Sequence, residues 1–268
     1  MVVNYIEETI PILKAAARVE DRPVDAAEFA RTRLGLDADA RQVEVLRSDA
    51  KRGILNCSRQ WGKSTLAAAK AVHRAYTRPE SLVLLASPSD RQSTELLKKA
   101  RGMLRRLGLR PCGDGGADPS VLLPNGSRIV ALPGVEGTVR GFSSPSLMLI
   151  DEASRVDDEM YKALRPMLAV GDGDLWLMST PWGKRGFFYD TWEFGGGEDW
   201  MRVRVPATEC PRISKRFLEE ERRVQGVWFG QEYLCEFMDN GMAMFGRDLV
   251  EAALDSSAGA FEFGGLWR

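Results

Sequence analysis

A lysine and two hydroxyl side chains follow a short apolar run in the first quarter of the chain, in an order suited to binding phosphate. The segment CSRQWGKST occupies residues 57–65, after a predicted buried strand at 53–57, and opens the helix-prone run TLAAAKAVHRAY. Backbone N–H groups at the start of such a helix attract an anion. Lys63 would then reach the β- and γ-phosphates, the Ser64 hydroxyl would ligate Mg²⁺, and Gly62 would let the backbone approach the nucleotide.

The segment departs from the usual phosphate-loop pattern G-x-x-x-x-G-K-[ST], because Cys57 stands at the position of the first glycine. Taken alone, G-K-S-T also suits a surface turn with a solvated lysine. The strand before it and the helix after it favour the phosphate site. The residues that we assign to nucleotide binding in this loop are Ser58, Arg59, Gln60, Trp61, Gly62, Lys63, Ser64 and Thr65.

Two carboxylates end a second apolar run, LMLIDEAS at residues 147–154. Four apolar residues drive the strand into the core, and Asp151 and Glu152 then emerge at its carboxyl end. Asp151 is placed to hold Mg²⁺ through water, and Glu152 to polarise the attacking water as a general base. D-E-A-S also suits the capped start of a helix, but the phosphate loop upstream favours the catalytic interpretation.

Gln42 is a candidate for contacting the base of the nucleotide. It lies on a predicted short amphipathic helix at 37–47, before the first strand. A glutamine amide both donates and accepts hydrogen bonds, as recognition of adenine requires. A solvated helix glutamine is the alternative interpretation.

The elements that must position these residues alternate between apolar strands and helices. Strands are predicted at 53–57 and 81–87 and within the runs LMLIDEAS (147–154), DLWLMSTP (174–181) and WMRVRVPA (200–207). A hairpin is predicted around Asn125-Gly126, and a basic helix from about Ser93 to Leu107. This alternation predicts an α/β fold, with a mostly parallel sheet covered by helices on both faces. We divide the chain into a core (1–210), a pair of helices at 213–225 and 228–237 within a small subdomain (211–238), and a linker (239–268).

Composition excludes several classes of protein. The 268 residues have a formal net charge of −1, which excludes a globally basic nucleic-acid binder but leaves room for a local basic face. The single histidine, His73, makes a histidine-ligated zinc site or a Ser-His-Asp triad improbable, and the four cysteines are too dispersed for a C-x-x-C site. We expect reduced cysteines, no signal peptide and no membrane span.

Together, these motifs resemble those of the large terminase subunit of tailed bacteriophages and prophages. The resemblance rests on SRQWGKST, ASPSDRQS, LMLIDEAS, LMSTPWGKRGFFY and ISKRFLEEERRVQGVWFGQEYLCEF, and covers roughly residues 35–245. It implies the N-terminal packaging ATPase domain of that family, an additional-strand P-loop ATPase similar to RecA. The family's own loop lacks the first glycine, so Cys57 does not argue against nucleotide binding.

The resemblance also implies roles for individual residues. Arg59 matches the family's P-loop arginine, which senses or stabilises the γ-phosphate, and Ser179 and Thr180 match the motif that couples hydrolysis to movement. A plain turn before Pro181 would also explain that serine-threonine pair. Arg140, in the glycine-flanked GTVRGFSS, is the candidate arginine finger acting on a neighbouring subunit; an ordinary surface arginine is the alternative.

The implied activity is Mg²⁺-dependent ATP hydrolysis that drives double-stranded DNA into a procapsid, in the host cytoplasm. The implied partners are DNA gripped without sequence preference, the portal protein, the small terminase subunit and further copies in a ring, with a monomer possible in isolation. The basic segment 98–110 and the hairpin at 125–128 are candidate DNA contacts, although a solvated helix face also explains the former.

The residues at 213–237 match the family's lid subdomain beside the nucleotide pocket. The family's nuclease domain would begin where this sequence stops, and no metal-binding acidic cluster follows Asp239, so we expect no DNA cleavage by this chain. A helicase-like DNA-dependent ATPase, a non-catalytic nucleotide-binding module and a metabolic P-loop kinase remain as alternatives. The lack of room for a second motor domain argues against a helicase, and the intact Glu152 argues against a non-catalytic module. A kinase would need a small-molecule acceptor pocket and lid arginines, and DNA-independent phosphate transfer would reveal it.

Overall fold

The computed structural model describes residues 25–113, 115, 119–132, 134, 141–195 and 200–239. The helices in these ranges are α1 (Ala26–Arg33), α2 (Ala40–Arg47), α3 (Lys63–Thr77), α4 (Asp90–Arg106), α5 (Asp158–Leu164), α6 (Gly186–Glu193), α7 (Lys215–Gln225) and α8 (Trp228–Leu234). The strands are β1 (Arg52–Cys57), β2 (Leu82–Ala86), β3 (Ser120–Leu122), β4 (Arg128–Ala131), β5 (Leu147–Asp151), β6 (Asp174–Ser179) and β7 (Trp200–Val205).

The strands form a seven-stranded sheet in the order β3-β4-β2-β5-β6-β1-β7. All neighbouring pairs are parallel except β3–β4, which is the antiparallel hairpin predicted from Asn125-Gly126. The prediction of a mostly parallel sheet is confirmed. Strand β6 lies between β1 and β5, so one strand separates the two segments that carry the predicted chemistry.

Alternate residues of the strands feed two hydrophobic clusters, one on each face of the sheet. On β5, Leu147 and Leu149 join the cluster under α1–α4, whereas Met148 and Ile150 join the cluster under α5 and α6. Burial on both faces explains why the strands appear in the sequence as continuous apolar runs rather than as alternating patterns.

Side-chain caps explain where two helices begin. Asp39 accepts a hydrogen bond from the backbone N–H of Gln42, whose own side chain accepts from the Asp39 N–H, so α2 begins at Ala40 rather than at 37. Ser89 accepts from the N–H of Gln92, and α4 therefore begins at Asp90, three residues before the predicted start.

Helices α7 and α8 form a small unit against the β1–β7 edge. Leu218 and Phe229 pack with Ala207, which follows β7. Arg204 of β7 donates to the carbonyl of Leu234 at 2.7 Å. These contacts attach the helical pair to the edge of the sheet nearest the loop after β1.

None of the helices in the described ranges is long and apolar enough to cross a bilayer, and the four cysteines are free.

A buried lysine lies against a buried tryptophan in the first cluster. The Lys70 ammonium of α3 is 4.1 Å from the centre of a Trp176 ring and donates to the carbonyl of Val45 at 3.2 Å. Burial is the main cause that lowers the Lys70 pKa from 10.5 to about 8. The charge of Arg74 adds to this effect, and Asp174 and Asp49 oppose it.

This lowered pKa predicts a specific pH dependence of stability. Between about pH 8 and 10.5 the unfolded chain binds the Lys70 proton and the folded chain does not. The charged lysine therefore destabilises the fold below about pH 8, and the free energy of unfolding increases as the pH rises to 10.5. Lys70→Met is expected to stabilise the protein by roughly 1–3 kcal/mol at pH 7, with the gain vanishing by about pH 10.5. Urea unfolding at several pH values measures this. Lys99→Met, at an exposed site, should show no such trend, and a pH-independent gain for Lys70→Met would contradict the assignment.

Candidate nucleotide site

Three neighbouring strands, β5, β6 and β1, bring the predicted chemical groups to one edge of the sheet. Asp151 and Glu152 lie at the carboxyl end of β5, Thr180 follows β6, and the loop before Lys63 follows β1. Because all three strands are parallel, their carboxyl ends meet at the same edge. Lys63 and Thr180, which are 117 residues apart in the sequence, therefore share one site.

Lys63 is buried at the start of α3, and its three N–H groups are all engaged. They donate to the carbonyls of Cys57 at 3.2 Å and Ser58 at 2.9 Å, and to the Thr180 hydroxyl at 3.1 Å. The Thr180 hydroxyl in turn donates to the Cys57 carbonyl at 3.0 Å. The lysine is thus held beneath the loop and beside the end of β6, within the phosphate-binding region predicted from the sequence.

Gly62 caps α3 with a φ of +101°, in the left-handed region that favours glycine. A Cβ at this position would also stand 3.0 Å from the Gln42 side-chain nitrogen. The neighbouring Gln60 has a φ of +64°. The loop therefore turns sharply and presents backbone N–H groups at the start of a fifteen-residue helix, which is the arrangement that binds phosphate.

Ser64 and Asp151 are suited to a magnesium ion. Ser64 is half-buried, and its hydroxyl makes no hydrogen bond among the described residues. Asp151 is buried, and one carboxylate oxygen accepts the Glu152 N–H at 3.0 Å while the other has no protein donor in the described part of the chain. A hydroxyl and a carboxylate oxygen are hard ligands of the kind that Mg²⁺ takes, together with water and phosphate oxygens.

Glu152 sits on a tight turn, with a φ of +51°, between β5 and the short helix Ala153–Arg155. Burial raises the pKa of its carboxyl group above the usual value. The charge of Lys63 is the largest opposing influence, while Asp151 adds to the increase. The carboxylate is therefore a stronger base than a solvated glutamate and faces the charge of the phosphate-loop lysine.

Gln42 and Trp61 make contacts within the fold that the sequence did not predict. The Gln42 amide donates to the Trp61 carbonyl at 2.9 Å and accepts the Asp39 N–H at 3.1 Å. Arg212 donates to the same carbonyl at 2.5 Å and to the Asp39 carboxylate at 2.9 Å. The Trp61 indole is fully buried in the first hydrophobic cluster. Gln42 thus holds the loop through the Trp61 carbonyl, and the Trp61 indole anchors the loop in the core. A contact of Gln42 with a base stays a prediction.

Arg59 lies beside helix α8, whereas Arg140 is not among the described residues. Arg59 forms an ion pair with Glu232 of α8, and its backbone N–H approaches the Glu232 carbonyl at 3.5 Å. Its role at the γ-phosphate stays a prediction. Arg140 lies outside the described residues, so its assignment as an arginine finger stays a prediction as well.

Three residues of the site were not predicted from the sequence. The hydroxyl of Ser154 lies 2.7 Å from the Ser179 hydroxyl and donates to the Thr180 carbonyl at 2.7 Å. The Arg155 guanidinium lies 3.8 Å from the centre of the Trp182 ring. Ser154 and Arg155 lie two and three residues after Glu152, but the D-E-A-S segment predicted roles for Asp151 and Glu152 alone.

A phosphate loop after β1, an acidic pair after β5 and a strand between them define a P-loop NTPase of the additional-strand type. The chain belongs to the family described as terminase large subunit, T4likevirus-type, N-terminal, whose model matches residues 54–252. The resemblance inferred from the motifs is thereby confirmed.

Individual relatives agree with this family. The large terminase subunit of Escherichia phage T5 is 25% identical over 203 residues, covering 73% of this chain and 46% of that protein. The large terminase ATPase domain of Thermus phage P74-26, in a mutant form, matches with a TM-score of 0.66 at 22% identity, over 81% of this chain and 100% of that one. A large terminase of a thermophilic bacteriophage in complex with ADP matches with a TM-score of 0.62 at 18% identity, over 75% and 54% of the two chains. The chain spans about half the length of the curated relatives it matches.

Proposed function

We propose that this chain is the ATP-hydrolysing motor part of a terminase that drives double-stranded DNA into a viral procapsid. The observation that carries the proposal is the convergence of Lys63, Thr180 and the Asp151-Glu152 pair at the ends of three adjacent parallel strands. Phosphoryl transfer to water needs little beyond a phosphate cradle, a metal and a base. The family membership supports the packaging role.

In the proposed reaction, Lys63 and the N–H groups of the loop bind the phosphates, and Ser64 and Asp151 would hold Mg²⁺. The metal, when bound, neutralises phosphate charge. Glu152 accepts a proton from the water that attacks the γ-phosphate, and its raised pKa makes it a better base near neutral pH. Arg59 would leave Glu232 to contact the γ-phosphate.

A cavity of about 520 Å³ lies beside the loop, and we assign it to the base and ribose of the nucleotide. Its wall includes Arg59 and Gln60 of the loop and three apolar or aromatic side chains, namely Ile213 before α7, Phe217 of α7 and Tyr233 of α8. An apolar wall next to a phosphate loop suits a purine, which has a stacking face and few charges. The position of α7 and α8 at this cavity supports their assignment as a lid.

The exposed face of α4 supports DNA contact without sequence preference. Arg91, Lys99 and Arg105 are exposed there, whereas Arg101 and Arg106 donate to backbone carbonyls of the fold. Lysine and arginine contacts to phosphates suffice for a motor that must grip any sequence. Asn125, in the other candidate segment, is bonded to carbonyls at the end of α3. The portal protein, the small terminase subunit, a ring of copies and the host cytoplasm belong to the same proposal.

The proposal is tested by measuring phosphate release from Mg²⁺–ATP and by calorimetric binding of ATPγS. Lys63→Ala is expected to weaken ATPγS binding by roughly 10–100-fold, because it removes a charged donor to the phosphates. Lys70→Met is the matched control, since it removes a second buried lysine from the same helix two turns farther on, and it should bind ATPγS like the wild type. Wild-type protein that neither binds ATPγS nor hydrolyses ATP, alone or with its packaging partners, would refute the proposal.

A further inference from the structure

Ser154 lies at the junction between the Glu152 turn and the end of β6. Its hydroxyl is 2.7 Å from the hydroxyl of Ser179 and 2.7 Å from the backbone oxygen of Thr180. Ser179 and Thr180 are buried. Two residues after the general base, one side chain therefore ties the β5 loop to the β6 loop.

The chemistry of these groups fixes the direction of each hydrogen bond. A carbonyl oxygen only accepts, so the single hydroxyl proton of Ser154 goes to the Thr180 carbonyl. Ser179 must then donate its proton to the Ser154 oxygen. By the same reasoning, Thr180 spends its hydroxyl proton on the Cys57 carbonyl, and its oxygen accepts from Lys63. The chain of contacts runs without a break from Lys63 through Thr180 to Ser154.

A phosphate that binds Lys63 must replace at least one of the three acceptors that the ammonium now uses. The Thr180 hydroxyl at 3.1 Å and the Cys57 carbonyl at 3.2 Å are the two more distant ones. Both belong to the same small network, because Thr180 donates to Cys57. Phosphate binding therefore alters the surroundings of Thr180, whose carbonyl is held by Ser154.

A second contact links the same two loops. The Arg155 guanidinium covers the Trp182 ring at 3.8 Å, and the Arg155 N–H donates to the Glu152 carbonyl at 2.9 Å. The turn that carries Glu152 is thus attached to the β6 loop through both residues that end the short helix Ala153–Arg155. A movement of the β6 loop would be transmitted to the Glu152 backbone rather than absorbed in a free loop.

We propose that Ser154 is a positioning residue that transmits the Lys63–Thr180 contact to the turn carrying Glu152, and so links phosphate binding to placement of the general base. This inference rests on the proposed ATPase function. Ser154 touches neither phosphate nor water in this scheme. It acts through the Thr180 carbonyl on one side and through the backbone of its own turn on the other.

The first test compares Ser154→Ala, Ser154→Thr and the wild type in steady-state hydrolysis and in ATPγS binding. Ser154→Ala is expected to lower kcat about tenfold, the loss expected for two neutral hydrogen bonds, with nearly unchanged affinity for ATPγS and only a small fall in melting temperature. Ser154→Thr should restore kcat, because it keeps the hydroxyl, and the cavity of about 810 Å³ that Ser154 lines has room for a methyl group. Ser143→Ala, at an exposed serine, is the control and should match the wild type.

A second test does not depend on turnover. Amide hydrogen exchange is measured over residues 151–156 and 177–183, with and without Mg²⁺–ATPγS. In the wild type the nucleotide should change exchange in both segments, whereas in Ser154→Ala the change should be confined to 177–183. An equal response of 151–156 in both proteins, or no response in the wild type, would overturn the inference.

The two tests also separate this inference from the proposed function. Wild-type turnover together with wild-type kcat in Ser154→Ala would overturn only the positioning role. A parallel loss of kcat, affinity and melting temperature in Ser154→Ala would assign the residue a purely structural role, which also overturns it. Failure of the wild type to bind ATPγS would remove both proposals.

Discussion

Replacing Glu152 with glutamine is expected to lower kcat for ATP hydrolysis by roughly 10²–10⁴-fold while leaving ATPγS affinity nearly unchanged. Glutamine keeps the shape of the side chain and the left-handed turn at this position, but its amide cannot accept the proton of the attacking water. The loss therefore belongs to the chemical step and not to nucleotide binding. Single-turnover phosphate release, measured beside ATPγS calorimetry, separates the two.

The raised pKa of Glu152 predicts how kcat depends on pH. Burial raises that pKa, and a general base acts only when it is deprotonated. Wild-type kcat should therefore fall as the pH is lowered, with the acid limb above the range of an ordinary glutamate. The limb should be absent from the residual activity of Glu152→Gln.

Glu159→Gln provides the matched control for this experiment. Glu159 is exposed on α5, seven residues after Glu152, and forms a surface ion pair with Lys162. Because an exposed pair contributes little to stability, this variant should hydrolyse ATP like the wild type. Wild-type turnover by Glu152→Gln would show that another group activates the water, and the catalytic assignment would then be wrong.

The largest expected effect on stability comes from Gly53→Ala. Gly53 pairs with Trp176 across β1 and β6, and a Cβ on Gly53 would overlap the indole ring. Trp176 is fully buried and lies between the strand and the Lys70 ammonium, so the ring has no room to withdraw. We expect the free energy of unfolding to fall by roughly 2–4 kcal/mol, as for overpacking of a tight core. Equilibrium urea unfolding measures this change.

Gly102→Ala is the control that separates steric overlap from the general effect of adding a methyl group. Gly102 lies within α4, and a Cβ there would meet no atom within 4 Å. Alanine favours a helix over glycine, so this variant should gain up to about 1 kcal/mol. A loss for Gly102→Ala as large as that for Gly53→Ala would rule out contact with Trp176 as the cause.

The strands of the site were predictable because burial on both faces leaves a plain signal in the sequence. The runs before Cys57, Asp151 and Thr180 are apolar and short, and each ends in residues able to do chemistry. Parallel pairing then brings their ends together without further information. The hairpin was equally clear, since Asn125-Gly126 specifies the turn.

Contacts made by ordinary residues at long range were not predictable. Nothing in the sequence marks Arg212 as a donor to the Trp61 carbonyl, 151 residues earlier. Serine and arginine are common surface residues, so Ser154 and Arg155 carry no signal until the fold brings the β6 loop beside them. The short helices α5 and α6 were missed for the same reason, because their formation depends on packing against the sheet.

The three acceptors of Lys63 also bear on how a reaction cycle ends. Release of phosphate from most buried cation sites leaves an ammonium stripped of both water and partner, which is costly. Here the Cys57 and Ser58 carbonyls and the Thr180 hydroxyl accept hydrogen bonds from Lys63 when no phosphate is bound. In the proposed cycle, product departure would exchange one set of acceptors of Lys63 for another and would not leave the ammonium without a partner.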